Sequence, residues 1–435
     1  MPLRGKRTGE RRGWDARMTA TQGTRRIRRI VASVLVVAML AGAIVTDQAG
    51  LGSRSERYAG SPAYAYLTET MECLSYGWLH WIGYWLGVQF SDADSASGQY
   101  RRACVAVAQG DFADAEQWLQ ARIASDAGAS EAESAALRMQ LGCVRSLDGD
   151  ATGAAQAAGE AATLDGENAQ LQQLSYQFSL DAGDTRGAAA ALSAYATLTR
   201  DNTLYAEIAD LYLEAGDYED SGLYYDLAIE INGEDDRLLY MRGTSNMLLG
   251  RYAEAMKDFA ASAFPGSSYS RGVCAMALGD IKQAEVCFES SLERGEQAND
   301  ARLMLAVCHL EDGEPAEAEA LLEQYMAAGG AYADVAYYRA HARSMREDYA
   351  GAAEDYEAAA ENGQFREESL FSAAQCRYFA GDYAKAVQGF EQCVEEEIDL
   401  AQSWYYLGLS LLALGENERA AEALDKALAA GGTNG

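Results

Sequence analysis

A short landmark recurs ten times between residues 110 and 415, and it constrains the fold more than any other feature of the chain. It consists of a glycine, often an acidic residue, often an aromatic or aliphatic one, and then a small residue five places after the glycine. The clear copies are Gly110-Asp111-Phe112 with Ala115, Gly216-Asp217-Tyr218 with Ser221, Gly250-Arg251-Tyr252 with Ala255, Gly279-Asp280-Ile281 with Ala284, and Gly381-Asp382-Tyr383 with Ala386. Further copies stand at Gly149, Gly183, Gly313, Glu347 and Gly415, so that successive landmarks are 39, 34, 33, 34, 29, 34, 34, 34 and 34 residues apart. A period that regular requires one supersecondary unit, stacked so that each copy buries its apolar face on the next.

The unit reads as a helical hairpin. Only 4 Pro stand against 42 Gly in 435 residues, and 49% of the chain is apolar, which suits many helices punctuated by glycine rather than sheets or a disordered chain. The landmark glycine ends the first helix by accepting a left-handed backbone, and the small residue five places on lets the second helix approach the first. A small residue also recurs seven places before the landmark: Ala103, Ala209, Gly243, Gly272, Ala306, Ala340, Ala374 and Gly408. A bulky residue recurs nine places after it: Leu119, Leu192, Tyr225, Phe259, Phe288, Leu322, Tyr356, Phe390 and Leu424. Small residues facing bulky ones at fixed offsets are a packing code for paired antiparallel helices. The 29-residue interval contains Phe264-Pro265-Gly266, which predicts a truncated second helix there.

With Trp404, Leu407, Gly408, Gly415, Ala420, Leu424 and Ala427, the last unit resembles the tetratricopeptide repeat family, and the resemblance extends over residues 96–430. Residues 134–200 match poorly and are rich in alanine. Unit eight departs from the pattern, with Glu347 at the glycine position and Arg339 and Arg343 where apolar residues are usual. The resemblance implies an all-α, right-handed α-solenoid of about ten hairpins, whose first helices line a concave groove that holds peptides or partner helices. The position ten before each landmark would face that groove, and six of the ten residues there are aromatic: Tyr100, Tyr240, Tyr269, Tyr337, Phe371 and Tyr405. The resulting candidate groove set is Tyr240, Met241, Tyr269, Tyr337, Tyr338, His341, Phe371, Tyr378, Tyr405 and Tyr406, suited to an apolar or aromatic-bearing segment. The same rings serve equally as ordinary packing between helices. Family members that grip acidic C-terminal tails use groove cations, whereas this chain has Glu207, Asp210 and Glu214 there, which argues against such a clamp.

The N-terminus is organised differently. Residues 1–29 carry ten basic side chains against Glu10 and Asp15, a net +8, which leaves −39 on the remainder of a chain whose total is −31. So acidic a body repels phosphate backbones, and no nucleic-acid partner is expected. Ile30–Val45 is an apolar run of 16 residues behind the arginine cluster, and it reads as an export signal or an uncleaved membrane anchor. The preceding arginines would hold the N-terminus in the cytoplasm and place the repeats outside it. Met18 is a plausible alternative start, since residues 18–45 alone make a conventional signal segment. Ala43 stands where a lipidated cysteine would belong, which excludes lipidation at that site. Residues 46–72 read as a linker. Residues 73–95 form a Trp-rich helix, with Trp78, Trp81 and Trp85 on one face, that caps the first repeat, lies on a membrane surface or spans it; a span would return the repeats to the cytoplasm. Residues 431–435 form a flexible tail.

Eight cysteines lie mostly at equivalent places on the first helices of different repeats, too far apart to bridge, and read as small core residues. Cys274 with Cys287 and Cys376 with Cys393 are the only pairs within single hairpins. His80, His309 and His341 show no metal-ligand spacing, no phosphate-binding glycine loop is evident, and no catalytic residue, metal or cofactor is assigned. The chain therefore reads as a non-catalytic binding scaffold. Ala423, Leu424, Ala427 and Leu428 form an end face through which copies could associate.

Overall fold

A computed structural model describes residues 60–71, 94–125, 129–363 and 365–431, together with Tyr58, Val88 and Asp92. The basic N-terminus, the apolar run 30–45, nearly all of the Trp-rich stretch and residues 432–435 lie outside the described residues. Among the described residues there are 21 α-helices, one 3-10 turn and no strand.

The chain divides into two compact units after Ala215. The first holds α1 (Pro62–Thr70), three hairpins, and α8 (Tyr205–Glu214). Its hairpins pair α2 (Ala96–Gln109) with α3 (Phe112–Ala124), α4 (Glu131–Asp148) with α5 (Ala151–Leu164), and α6 (Ala169–Ala182) with α7 (Thr185–Thr199). The second unit opens with α9 (Tyr218–Asn232). Six hairpins follow: α10 (Asp236–Leu248) with α11 (Tyr252–Ala261), α12 (Ser267–Ala277) with α13 (Ile281–Arg294), and α14 (Ala298–Glu311) with α15 (Pro315–Ala327). The last three pair α16 (Tyr332–Met345) with α17 (Tyr349–Glu361), α18 (Arg366–Phe379) with α19 (Tyr383–Glu395), and α20 (Leu400–Ala413) with α21 (Asn417–Gly431). Apart from α1, every helix within each unit packs on the next, so each unit is a short α-solenoid.

Every landmark residue is left-handed, with φ from 63° at Glu347 to 94° at Gly149. The turn this creates returns the next N–H to the helix just ended: Asp111 donates to the Ala106 carbonyl at 2.9 Å, Asp184 to Ser179 at 2.8 Å, and Glu416 to Leu411 at 2.9 Å. Where the following residue is aspartate, its side chain usually caps the second helix. Asp150 and Asp184 each accept from the N–H three residues on at 2.9 Å, and Asp280 does so at 3.0 Å. One Gly-Asp pair thus closes one helix and opens another.

The small-to-bulky code is realised as direct contact. A Cβ added to Gly243 would lie 2.9 Å from the Phe259 ring, one on Gly272 would lie 2.7 Å from Phe288, and one on Gly408 would lie 2.7 Å from Leu424. Phe259, Phe288 and Phe390 are among the largest fully buried side chains. As the sequence predicts, α11 is cut to 10 residues. Phe264-Pro265-Gly266 follows as a loop that the Ala263 N–H to Asp236 carboxylate bond (2.8 Å) pins in place.

Two features depart from the sequence reading. Residues 62–70, inside the stretch read as a linker, form α1. Pro62 pre-sets its first turn, and Ala63, Tyr66, Leu67 and Met71 lie on one face, buried against α4. The partner helix α4 is 18 residues long, which accounts for most of the 39-residue interval. The second departure is in hairpin eight, whose arginines are paired with a carboxylate of the same hairpin and one of α15. Arg339 donates to both oxygens of Asp355 (2.8 and 2.6 Å), Arg343 donates to Asp355 (2.9 Å) and Glu319 (3.0 Å), and the Tyr332 hydroxyl donates to Asp355 (2.6 Å). Asp355 is only 2% exposed, so its charge is held by these donors rather than by water. Hairpin five repeats the device at the same offsets from its landmark, with Arg242 on buried Asp258.

Candidate partner-binding surface

The aromatic position ten before the landmark is set by the hairpin itself. Four of these rings lie over the bulky residue nine after the landmark on the partner helix. Centroid separations are 5.4 Å for Tyr240 on Phe259, 5.6 Å for Tyr269 on Phe288, 5.8 Å for Tyr337 on Tyr356, and 5.8 Å for Phe371 on Phe390. All four leading rings are half-buried, so their first role is to cover the interhelix core. Tyr240 also meets Phe264 at 4.9 Å, Tyr337 meets Tyr338 at 5.6 Å, and Phe365 covers Tyr337 at 4.5 Å. Met241 is half-buried on α10, and His341 is exposed on α16.

The candidates that come together are those of the last two hairpins. Tyr406 stacks on Phe390 at 5.6 Å with the planes 11° apart, and it meets Phe371 at 6.2 Å, Tyr378 at 5.7 Å and Tyr405 at 5.4 Å. Two rings absent from the sequence-derived set join them. Phe379 lies 5.4 Å from Tyr378 and 5.3 Å from Tyr349, and Tyr383 lies 5.7 Å from Tyr378. Phe379 was missed because it sits two places before its landmark rather than ten; its signal was an aromatic residue immediately beside a helix end, where little can cover it.

The result is a base of stacked and edge-to-face rings carrying two open ones. Phe379 is 50% exposed on α18 and Tyr405 is 47% exposed on α20. Leu412, seven residues after Tyr405 and so on the same face of α20, is exposed as well. Tyr240 and Tyr269, at the other end of the same unit, do not belong to this cluster. Behind Tyr405, Trp404 carries the Lys426 ammonium 4.4 Å above its ring, which ties α21 to α20. Leu428 of α21 is 76% exposed.

A second concavity lies in the first unit, between α5 and α7 over α6. Its volume is about 660 Å³, and it is lined by small and polar side chains such as Gln156, Gly159, Thr163, Ser175 and Ala191. It offers no aromatic anchor. The buried cysteines outside these surfaces behave as core residues. Burial pushes the Cys274 and Cys393 thiols up to about 11 and the Cys308 thiol up to about 12. Cys274, Cys287, Cys376 and Cys393 are all present as thiols, so neither within-hairpin pair is bridged.

No curated protein sequence matches this chain. Solved structures resemble its fold. The C-terminal part of a TPR repeat-containing protein from Cytophaga hutchinsonii is 15% identical over 51% of this chain and 94% of that one, with a TM-score of 0.44. YrrB, described as a TPR protein with an unusual peptide-binding site, is 22% identical over 39% of this chain and 91% of its own, with a TM-score of 0.35. The Naa15/Naa10 assembly bound to HypK-THB is 13% identical over 86% of this chain and 64% of that one, with a TM-score of 0.46. Family models described as tetratricopeptide repeat match residues 96–121, 207–268, 269–334 and 377–434. Those matches and the ten left-handed hairpin junctions agree, and the chain carries tetratricopeptide repeats.

Proposed function

We propose that this chain is a non-catalytic protein-binding scaffold that seats an apolar or aromatic-bearing partner segment on the surface formed by α18 and α20. Tetratricopeptide repeats imply a protein-interaction scaffold, and the observation that carries the specific reading is the pair of open rings, Phe379 and Tyr405, on a fixed aromatic base. Rings already held by their neighbours lose little side-chain freedom when a partner covers them, which favours binding. The acidic body favours a basic or neutral partner. In the same proposal, residues 30–45 tether the chain to a membrane with the repeats extracytoplasmic, a reading supported by the arginines before that run.

Crosslinking and co-purification from native membranes tests the binding surface, comparing wild type with a Phe379→Ala/Tyr405→Ala variant. Tyr337 and Tyr406 are unsuitable targets, because they pack on Tyr356 and Phe390 and their loss would loosen the hairpins. Specific proteins recovered with wild type and lost with the folded variant support the proposal, and equal recovery contradicts it. Protection of the repeats from protease added to intact cells would contradict the extracytoplasmic placement and favour a span at residues 73–90. A second reading, self-association through α21, rests on the exposure of Leu428. It predicts a concentration-dependent mass that Leu428→Lys abolishes.

A further inference from the structure

Hairpins six and seven meet at a cluster that no repeat-packing argument requires. Glu285 on α13, His309 on α14 and Glu314 at the start of α15 bring one donor atom each to within 4.8 Å of one another. The His309 Nδ1 lies 2.8 Å from a Glu314 oxygen and 3.8 Å from Glu285 Oε1. The sequence reading found no metal-ligand spacing around His309, because these residues lie on three different helices and only the fold brings them together.

We infer that Glu285, His309 and Glu314 form a binding site for a divalent first-row cation of the Zn²⁺ class. Three observations point to a cation. Glu285 Oε1 is buried without a hydrogen-bond partner, while the other oxygen of the same carboxylate takes the Lys282 ammonium at 3.4 Å. A buried carboxylate oxygen left bare faces the point where the other two donors converge. Next, Glu314 occupies the position from which aspartate caps the second helix at Asp280, Asp348 and Asp382, yet its side chain makes no cap and turns to His309 instead. Finally, Lys282, which also pairs with Asp312, is one cation against the carboxylates of Glu285, Asp312 and Glu314, which leaves an excess of two negative charges at the cluster.

The geometry suits a small tetrahedral ion. Ligand bonds of about 2.0–2.1 Å place tetrahedral donors roughly 3.3 Å apart, between the two separations measured from His309 Nδ1. Seating the ion replaces the His309–Glu314 hydrogen bond with two bonds to metal, moves the imidazole proton to Nε2, and leaves the fourth position to water. The backbone already fixes two of the ligands, since the Glu314 N–H donates to the His309 carbonyl at 2.7 Å across the left-handed turn at Gly313. An imidazole with only two carboxylates favours Zn²⁺ over Mg²⁺ or Ca²⁺, which take oxygen ligands in larger number. Cys308, next in sequence, is fully buried and is not among the three residues whose donor atoms converge. The ion would add a link between two hairpins that the Lys282–Asp312 pair already joins.

The test is a titration of the full chain, stripped with a chelator, with zinc chloride followed by calorimetry and by thermal unfolding. One ion per chain is expected at this site, with a rise in the unfolding midpoint. Glu285→Gln, which preserves shape, and His309→Ala should each weaken binding by more than about ten-fold and remove the rise. Glu391→Gln, at an exposed carboxylate on α19, should bind as wild type does. No zinc uptake by wild type, or uptake undiminished in Glu285→Gln with the circular dichroism of the folded chain, overturns the inference.

Discussion

At the scale of single residues, the junction between paired helices is set by backbone sign. Glu347 has φ 63°, a conformation that costs a side-chain-bearing residue about 1–2 kcal/mol and glycine almost nothing. Part of that gain is offset by the greater freedom of glycine in the unfolded chain. Glu347→Gly is therefore expected to stabilise hairpin eight by about 1 kcal/mol, seen as slower amide exchange in the last turn of α16; unchanged exchange would contradict the account. Gly272 is constrained in the opposite way, by space. The methyl group of Gly272→Ala would meet the Phe288 ring at 2.7 Å, and a midpoint shift equivalent to about 1–3 kcal/mol is expected in urea unfolding. Asp355→Ala leaves the half-buried guanidinium of Arg339 without its partner and should cost about 1–3 kcal/mol, whereas Glu391→Ala, at an exposed pair with Arg419, should change little. The buried thiols give a pH signature. Cys274, Cys308 and Cys393 are raised in the folded state, so the fold favours their neutral forms. Their contribution is complete below about pH 9 and is lost as pH climbs toward 11 or 12. The thermal midpoint should fall progressively above about pH 9; a midpoint constant to pH 11 would contradict this.

At the scale of elements, what the sequence reveals follows from fixed offsets. The landmark, the small residue seven before it and the bulky residue nine after it are legible because all three repeat in step, and each proves to be a contact or a turn. The shortening of α11 is legible because Pro265 and Gly266 cannot continue a helix. Features outside the period were lost. The helix α1 has 9 residues and occurs once, so only its Pro62 and the spacing of Ala63, Tyr66 and Leu67 could have revealed it. Its role is testable. Leu67 is fully buried, and Leu67→Ala should cost about 2–5 kcal/mol. Faster amide exchange should then appear in α4 of the first unit and leave α14 to α21 unchanged; an unaltered α4 would show that α1 does not support it. The candidate surface was half legible. Phe371, Tyr378, Tyr405 and Tyr406 were reached through the repeat register, but that register also selects rings whose main work is to cover the core, such as Tyr240 and Tyr269. Phe379 and the Glu285–His309–Glu314 cluster arise where helices meet, which no single-strand spacing encodes.

At the scale of the whole molecule, the repeats use two kinds of stabilisation in the same architecture. Most hairpins rely on small-to-bulky packing, and hairpins five and eight add a buried arginine–aspartate pair at matching positions. The aromatic surface is confined to the C-terminal part of the second unit, while the first unit offers an alanine- and serine-rich cleft without an anchor. Binding energy at protein surfaces concentrates in a few well-supported aromatic side chains, so the account places partner capture on Phe379 and Tyr405. The measurement that tests this most directly is hydroxyl-radical footprinting of the chain in native membranes, with and without its crosslinked partner. Oxidation of Phe379 and Tyr405 should fall on partner binding while that of Leu198, exposed on α7, stays unchanged. Protection confined to the cleft between α5 and α7, with Phe379 and Tyr405 still oxidised, would contradict it.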